Sequence, residues 1–478
     1  VVETILVTGA TGVVGRPLVR GLAAAGKKVI ALSRQIMPFA GNVALAGIEY
    51  LQGDVSLPLL GLEEAVYREL CHSVRGIFHL AARTDFKSQA LADYEAVNIN
   101  GVKNVYALAQ EAGAHLHHVS TAFVCGTHPG IFAEDDLDCG QQFRNGYEES
   151  KFRAECWLQE RIKSGATAVT IYRPSIILER QPSQNSVNTF GPFIFLDAVF
   201  RILLTSKMQA GNASAIRIVG QQTCHLPFIF DDDVTKALLH ISQSADITGK
   251  TFHVVCRNAC ANSMLEDVFN EAFGRTVAEL VAKEAFVTLP PSQPERIIAR
   301  KTAMYAPYLD LSVLFDRRSF EGVMGERFCR SVEAEELLQA FSFFLACKNE
   351  GKAEGEIAGQ DRQEIEDYFE QFLPAIIGQQ LIANLVSLTC TFWLEVGGSA
   401  RRSLVIKNGC LAAIISHGEG TFGYKVRPEI FLRVISGRLS PQRGFFDGDI
   451  AMEGNAMEAL RTATALEEFF QRRPYLVS

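Results

Sequence analysis

Tyr147 and Lys151 stand four residues apart in the stretch NGYEESKFRAECWL (Asn145–Leu158), and on a helix that spacing stacks them on one face. An ammonium beside a phenol favours the phenolate, so the tyrosine pKa is expected to fall from its free value near ~10 toward working pH. Such a tyrosine can hand a proton to a carbonyl oxygen while a hydride arrives from a cofactor. Upstream, HVSTAFV (His118–Val124) places Ser120 and Thr121 at the end of a predicted strand. In a parallel sheet the carboxyl end of a strand is the ligand side, so a hydroxyl there can hold the same oxygen.

These groups need a scaffold, and the first residues supply its signature. In ILVTGATGVVGRPLV (Ile5–Val19) a short β-branched run meets Gly9, Gly12 and Gly15, and a helical pattern then continues from Val13 to Ala25. Glycine lets the backbone turn sharply and lets a ligand approach without a Cβ in the way. The helix that follows turns its free N–H groups and positive dipole end toward that gap, which suits a pyrophosphate. Further apolar runs follow at Lys28–Arg34, Ile48–Asp54, Gly76–Ala82, Leu116–Val124 and Ala168–Ile177, with amphipathic stretches at Asp93–Ala112 and Tyr147–Lys163 between them. That alternation predicts a doubly wound parallel sheet with helices on both faces. At the end of the second strand an acidic residue would bind the ribose 2′-hydroxyl of NAD. Ser33 and Arg34 stand there instead. An arginine can pair with a 2′-phosphate, which favours NADP(H).

As a set these pieces resemble the extended short-chain dehydrogenase/reductase superfamily. The resemblance rests on T-G-x-x-G-x-x-G at Thr8–Gly15, GDV at Gly53–Val55, HLAA at His79–Ala82, Asn98, Ser120-Thr121, Tyr147-x-x-x-Lys151 and YRPSII at Tyr172–Ile177. The text GDVSLPLLGL, IFHLAARTDF, VSTAFVCG and NGYEESKFRAE is most similar to the fatty acyl-CoA reductase (male sterility) and thioester reductase branch, over roughly residues 3–260. The resemblance implies NADPH-dependent reduction of a fatty acyl thioester, on CoA or an acyl carrier protein, to an aldehyde and in some members onward to an alcohol. It puts the catalytic roles on Thr121, Tyr147 and Lys151 and the adenine contact on Asp54. The implied cofactor-binding set is Thr8, Gly9, Thr11, Gly12, Val13, Val14 and Gly15 at the turn, then Ser33, Arg34, Asp54 and Val55. It continues with Leu80, Ala81, Ala82, Asn98 and Ser120, with Tyr147 and Lys151 themselves, and with Pro174, Ser175 and Ile176.

The last hundred residues change character, with short strands, glycine turns and a terminal helix over Ala456–Arg472. Gly437–Pro441, Phe446, Gly448, Ile450, Gly454 and Asn455 resemble the sterol carrier protein type 2 domain, and the resemblance covers about Leu373–Phe470. It implies an apolar tunnel for acyl chains or sterols, lined by alternating strand residues such as Phe431, Val434, Phe446 and Ile450. A small dimerisation domain is the competing reading. The expected organisation is an NADP-binding Rossmann reductase domain over residues 1–260 and a helix-rich substrate subdomain over 261–350. A linker and entry helix over 351–372 then lead to a small α+β lipid-binding-type domain over 373–478.

Composition narrows the rest. A net charge of −8 without a long basic run argues against nucleic acid. The first fifteen residues lack the parts of a secretory signal. Eleven scattered cysteines, with Cys256 and Cys260 the closest pair, read as reduced thiols in a cytoplasmic protein. Leu373–Leu394 is uncharged and long enough to span a bilayer, but its Pro374, Gly378, Gln379, Gln380 and Asn384 favour a helix followed by a strand. No transmembrane segment is therefore expected; peripheral membrane contact stays open, as does oligomeric state. No metal site is expected. The HLHH run (His115–His118) reads as a loop entering a strand, Asp231–Asp233 as a helix start, and Cys125 as packing rather than a nucleophile. Two rival functions remain: another extended-family oxidoreductase acting on a sterol or hydroxy lipid, and a silent NADP-sensing lipid carrier. The Thr–Tyr–Lys set speaks against the second, since a sensor needs no proton donor.

Overall fold

The aliphatic runs of the first half form seven parallel strands in a computed structural model that describes residues 2–34, 47–86, 89–180, 191–205, 215–311, 313–350, 364–381, 388–397, 401–415, 420–446 and 449–475. The strands are β1 (Thr4–Thr8), β2 (Lys28–Ser33), β3 (Ile48–Gln52), β4 (Val74–His79), β5 (His115–Val119), β6 (Val169–Pro174) and β7 (Thr251–Val254), in the order β7-β6-β5-β4-β1-β2-β3. Side chains alternate between two apolar layers. Ile5, Val7 and Phe78 pack with Leu18 and Leu22 of helix α1 (Gly15–Ala24), while Leu6, Ile30 and Ile77 pack with Val102, Val105 and Leu158 on the other face. Burial on both faces is why these strands read as nearly unbroken apolar runs. The order reverses between β1 and β4, and a doubly wound sheet opens its ligand crevice at such a point.

The chain divides into two compact units, Val1–Leu345 and Ala346–Ser478. In the first, the stretch expected as one helix from Asp93 is Ala92–Tyr94, a wide π turn over Glu95–Asn100, and a helix over Gly101–Ala112. Helix α2 (Gly146–Ser164) carries Tyr147 and Lys151, and the Asn145 side chain caps it by accepting from Glu148 N at 3.0 Å. Small parallel pairs lie outside the main sheet: Ile176–Leu178 with Phe228–Phe230, and Ile216–Val219 with Ala278–Val281. The second pair joins a strand before residue 260 to one in the helix-rich region after it.

Three expectations change. His115–His118 form strand β5 itself, not a loop leading into it, because every second residue meets an apolar layer. Cys256 and Cys329 are disulfide-bonded with Cα atoms 4.9 Å apart, so the cysteines are not all free. Arg257 N donates to Cys329 O and Asn258 N to Arg330 O, which aligns two segments that sequence spacing could not pair. Finally, Phe431 and Val434 lie on a helix (Pro428–Ile435) and Phe446 ends another (Pro441–Phe446), so that of the four expected strand residues only Ile450 is one. Pro428 opens the first of these helices, and Ile430, Phe431, Val434 and Ile435 share one buried face. Asp231–Asp233 do begin a helix, Asp231–Ser242.

The second unit is a mixed five-stranded sheet. Its strands are β8 (Cys390–Val396), β9 (Arg402–Lys407), β10 (Cys410–Ile415), β11 (Phe422–Val426) and β12 (Ile450–Gly454), ordered β10-β9-β8-β11-β12 with only β8 and β11 parallel. The terminal helix runs over Ala456–Arg472 as expected. Within Leu373–Leu394 a helical turn covers Leu373–Ala375 and β8 starts at Cys390, while residues 382–387 and Gly448 lie outside the described residues. Among the described residues no helix is long and apolar enough to cross a membrane.

Candidate functional site

A cavity of about 1180 Å³ opens at the carboxyl ends of the strands of the first unit. All the sequence-predicted site residues line it except Thr8 and Asn98.

The glycine turn forms one wall, and each glycine there has a separate reason. Gly9 has φ +70°, and a Cβ on it would stand 2.6 Å from Ala81 N. A Cβ on Gly15 would stand 2.2 Å from Gly9 O, so only glycine lets α1 pack so near the turn. Gly12 N donates to Gly9 O at 3.0 Å, closing the turn. No acidic side chain sits in the first turn of α1, which leaves its dipole uncompensated beside the cavity. Thr8 works behind this wall: its hydroxyl bonds His79 Nδ1 at 2.7 Å and accepts from Ala81 N at 3.3 Å. Asp54 is held in a tight turn by Ser56 N and Oγ, at 2.9 and 2.7 Å, and Arg34 is exposed at the cavity edge.

Asn98 departs from expectation because its polar atoms are spent on the protein. Its Oδ1 accepts from Arg83 N at 2.7 Å, and its Nδ2 donates to Arg83 O at 3.1 Å and to Ser150 Oγ at 2.9 Å. It positions the Ala82–Arg83 turn and α2 rather than facing the cavity.

Thr121, Tyr147 and Lys151 do meet at the cavity, but with different electrostatics from those expected. Tyr147 is hydrogen-bonded to the Thr121 side chain, yet its pKa is pushed up to about 12: burial dominates, the Thr121 bond offsets part, and the neighbouring Glu148 charge adds to it. Lys151 does not lower it. The Lys151 Nζ donates instead to Val119 O at 2.7 Å, and burial draws its own pKa down to about 8 against the opposing charge of Glu155. Tyr147 therefore stays protonated across the neutral range and can serve as an acid, not a base.

Sequence reasoning missed much of the rest of the cavity. Phe195, Ile218, Leu226, Phe228, Leu265 and Phe269 add an apolar lining from scattered helices and short strands, none of which carries a motif, with Glu266 and Glu279 among them. Phe86 packs against Tyr147, Tyr305 and Tyr308 with centroids 5.1, 5.1 and 5.8 Å apart, an aromatic cluster in the cavity lining. Tyr308 is fixed by donating to the buried Glu148 at 2.5 Å and accepting from Asn145 Nδ2 at 2.9 Å. Arg16 was also missed; it lines the cavity and pairs with Glu179 at 3.0 Å. Cys125 does not line the cavity, and burial pushes its thiol up to about 12, in keeping with packing. Among the described residues no group of His, Cys, Asp and Glu could hold a metal ion.

The arrangement fits a dinucleotide: a tight glycine turn lining the cavity ahead of the N-terminus of α1, and two buried hydroxyls of lining residues, Ser120 Oγ and Ser175 Oγ, with no protein partner. Comparison with known proteins agrees. Residues 7–224 match the family described as male sterility protein. The chain is 27% identical over 299 residues to the nonribosomal peptide synthetase asaC of Aspergillus flavus, covering 56% of this chain but only 27% of that much longer protein. Among solved structures, the terminal R domain from the myxalamid PKS-NRPS biosynthetic pathway superposes with a TM-score of 0.58 at 23% identity, over 72% of this chain and 90% of that one. A UDP-glucose 4-epimerase from Thermotoga maritima superposes with a TM-score of 0.53 at 19% identity, over 73% and 100%. The first unit thus contains a Rossmann domain of the NAD(P)-binding kind.

Proposed function

We propose that the first unit is an NADPH-dependent reductase of fatty acyl thioesters, and that the second is a sterol carrier protein type 2-like domain that handles the acyl chain. The observation that carries the first part is what the cavity brings together. The protonated Tyr147, bonded to Thr121, lines one cavity together with the glycine turn and the apolar Phe195, Leu226, Phe228 and Phe269. The apolar part of that lining favours an acyl chain. Phe195, Leu226, Phe228 and Phe269 line the cavity beside Glu266 and Glu279, and each methylene placed against those apolar side chains contributes ~0.8 kcal/mol.

NADPH, when bound, supplies the hydride. Gly9, Gly12 and Gly15 admit its pyrophosphate, Asp54 faces the adenosine side, and Arg34, with Arg16 nearby, favours the 2′-phosphate. Thr121 donates to the substrate carbonyl oxygen, and Tyr147 protonates it as negative charge develops. Lys151 adds a positive charge to the same pocket. The resulting thiohemiacetal collapses with its hydroxyl proton passing to the departing sulfur, so the step consumes one hydride and one proton and releases aldehyde and thiol. The thiol belongs to CoA or to a carrier protein.

The test is NADPH oxidation with a panel of acyl-CoA and acyl-carrier thioesters, with products identified by mass spectrometry. A parallel assay uses NADP and a hydroxysterol. Aldehyde from the first supports the proposal; turnover only in the second makes the protein a hydroxy-lipid dehydrogenase.

A further inference from the structure

Tyr147 is the second residue of α2, in a first turn whose N–H groups have no partner within the helix. Its place therefore depends on how that turn is capped. Asn145 Oδ1 accepts from Glu148 N at 3.0 Å, and the Glu148 carboxylate reaches back to accept from Arg144 N at 2.9 Å. Tyr308, 160 residues beyond Glu148 in a 3₁₀ turn over Ala306–Asp310, bonds both capping side chains. Its hydroxyl donates to Glu148 Oε1 at 2.5 Å and accepts from Asn145 Nδ2 at 2.9 Å. The turn is itself held by the buried Asn262, whose Nδ2 donates to Leu309 O at 2.7 Å. The Tyr308 ring packs edge-on against Phe123, two residues after Thr121, with centroids 5.1 Å apart. It also stacks on Phe86, which packs on Tyr147. A phenylalanine would make the same ring contacts, so they leave the hydroxyl unexplained.

We propose that Tyr308 is a positioning residue for the acid of the reaction: its hydroxyl locks the cap of α2 and so fixes where Tyr147 meets Thr121. This rests on the reductase reading. Glu148 is fully buried, and its carboxylate is met by the Arg144 guanidinium at 3.3 Å and by the Tyr308 hydroxyl. Both favour the ionised form, which burial opposes. The Arg144 guanidinium also lies over the Tyr308 ring, 5.4 Å from its centroid, and donates to Gly126 O at 2.6 Å. Loss of the one hydroxyl deprives a buried carboxylate of a donor and Asn145 Nδ2 of an acceptor. A buried polar group without its partner costs more than the bond contributes, so the cap shifts to recover one and carries Tyr147 with it.

The test begins with Tyr308→Phe, which keeps the ring and removes the hydroxyl. Its kcat for thioester reduction should fall about tenfold or more, the worth of a hydrogen bond to a charged group, while NADPH affinity and thioester KM stay within about twofold. Unchanged kcat, or kcat and NADPH affinity falling together, would overturn the proposal. Glu148→Leu breaks the same link and should match that loss, whereas Glu148→Gln keeps an oxygen for the hydroxyl and should lose less. Tyr308→Phe combined with Glu148→Leu should fall no further than either alone, and losses that multiply would show two independent effects and overturn the link. A readout independent of turnover is the ring ¹³C spectrum of tyrosine-labelled protein, with the Tyr147 signal identified by its absence in Tyr147→Phe. That signal should move in Tyr308→Phe, and an unmoved signal overturns the proposal even if the enzyme proves an active reductase. A wild type that binds NADPH but reduces no thioester ends the reductase reading alone; the Tyr147 signal then still decides whether Tyr308 sets its place.

Discussion

The two units treat their apolar residues in opposite ways. The first leaves about 1180 Å³ open, lined by both polar and apolar side chains. The second closes Tyr368, Phe392, Tyr424, Phe431 and Leu466 around a cavity of about 70 Å³ with almost no polar lining. A ligand pocket usually measures ~300–1,000 Å³, so the first unit is preformed for a large ligand and the second, as it stands, holds only a few atoms. Chemistry is therefore concentrated in the first unit, and any lipid binding by the second requires its helices to part.

The largest effect that sharpens this contrast is loss of the acid. Tyr147→Phe removes one hydroxyl, so NADPH should bind normally while turnover falls by about two or more orders of magnitude. Near-normal turnover would remove Tyr147 from the mechanism. Tyr424→Phe in the second unit, which deletes a hydroxyl bonded to Ala459 O at 2.5 Å, should leave short-chain thioester reduction unchanged. An equal loss from that change would break the division of labour.

Next in size is cofactor choice. Arg34→Ala should weaken NADPH about 10–100-fold, the worth of a charged hydrogen bond, and NADH hardly at all. Equal weakening of both in a titration would show that Arg34 does not meet the 2′-phosphate. The pH profile follows. The charged form of Lys151 is lost as pH rises through about 8, so kcat/KM should decline above that point, about tenfold per unit. Tyr147, titrating near 12, contributes nothing in this range. A profile flat to pH 10 would show that the Lys151 charge is not needed.

The legibility of the sequence follows the same contrast. The sheet and the glycine turn could be read because their constraints are local: buried parallel strands demand continuous apolar runs, and a close backbone approach demands glycine at Gly9 and Gly15. The meeting of Thr121 and Tyr147 was legible for a related reason, since strand ends and helix starts share one side of such a sheet. The pKa of Tyr147 was not, because burial, which sequence spacing does not report, outweighs every nearby charge. Nor was the role of Asn98, whose three bonds depend on how the π turn aims it at Arg83 and Ser150. The apolar lining stayed hidden because its residues are ordinary core types scattered from Phe195 to Leu280. Phe431 and Val434 read as strand residues because a short apolar run fits either period, and Pro428 was the neglected signal.

The smallest effect concerns the second unit itself. A chain ending after Glu350 retains the whole first unit and its cavity, so it should keep NADPH affinity and the reduction of short acyl thioesters. If the second unit holds the far end of a long chain, the full-length protein should gain in kcat/KM with each added methylene beyond the length at which the truncated one levels off. The closed cavity sets the size of that gain. Space of about 70 Å³ admits only a few methylenes unless the Pro428–Ile435 helix moves, so a few-fold advantage is expected rather than the full ~0.8 kcal/mol for every group. Widening the cavity by Phe431→Ala should then extend the gain to longer chains in the full-length protein alone. Parallel curves for both lengths, with no response to Phe431→Ala, would remove lipid binding from the second unit and leave dimerisation as its role, measurable as a change of mass on truncation.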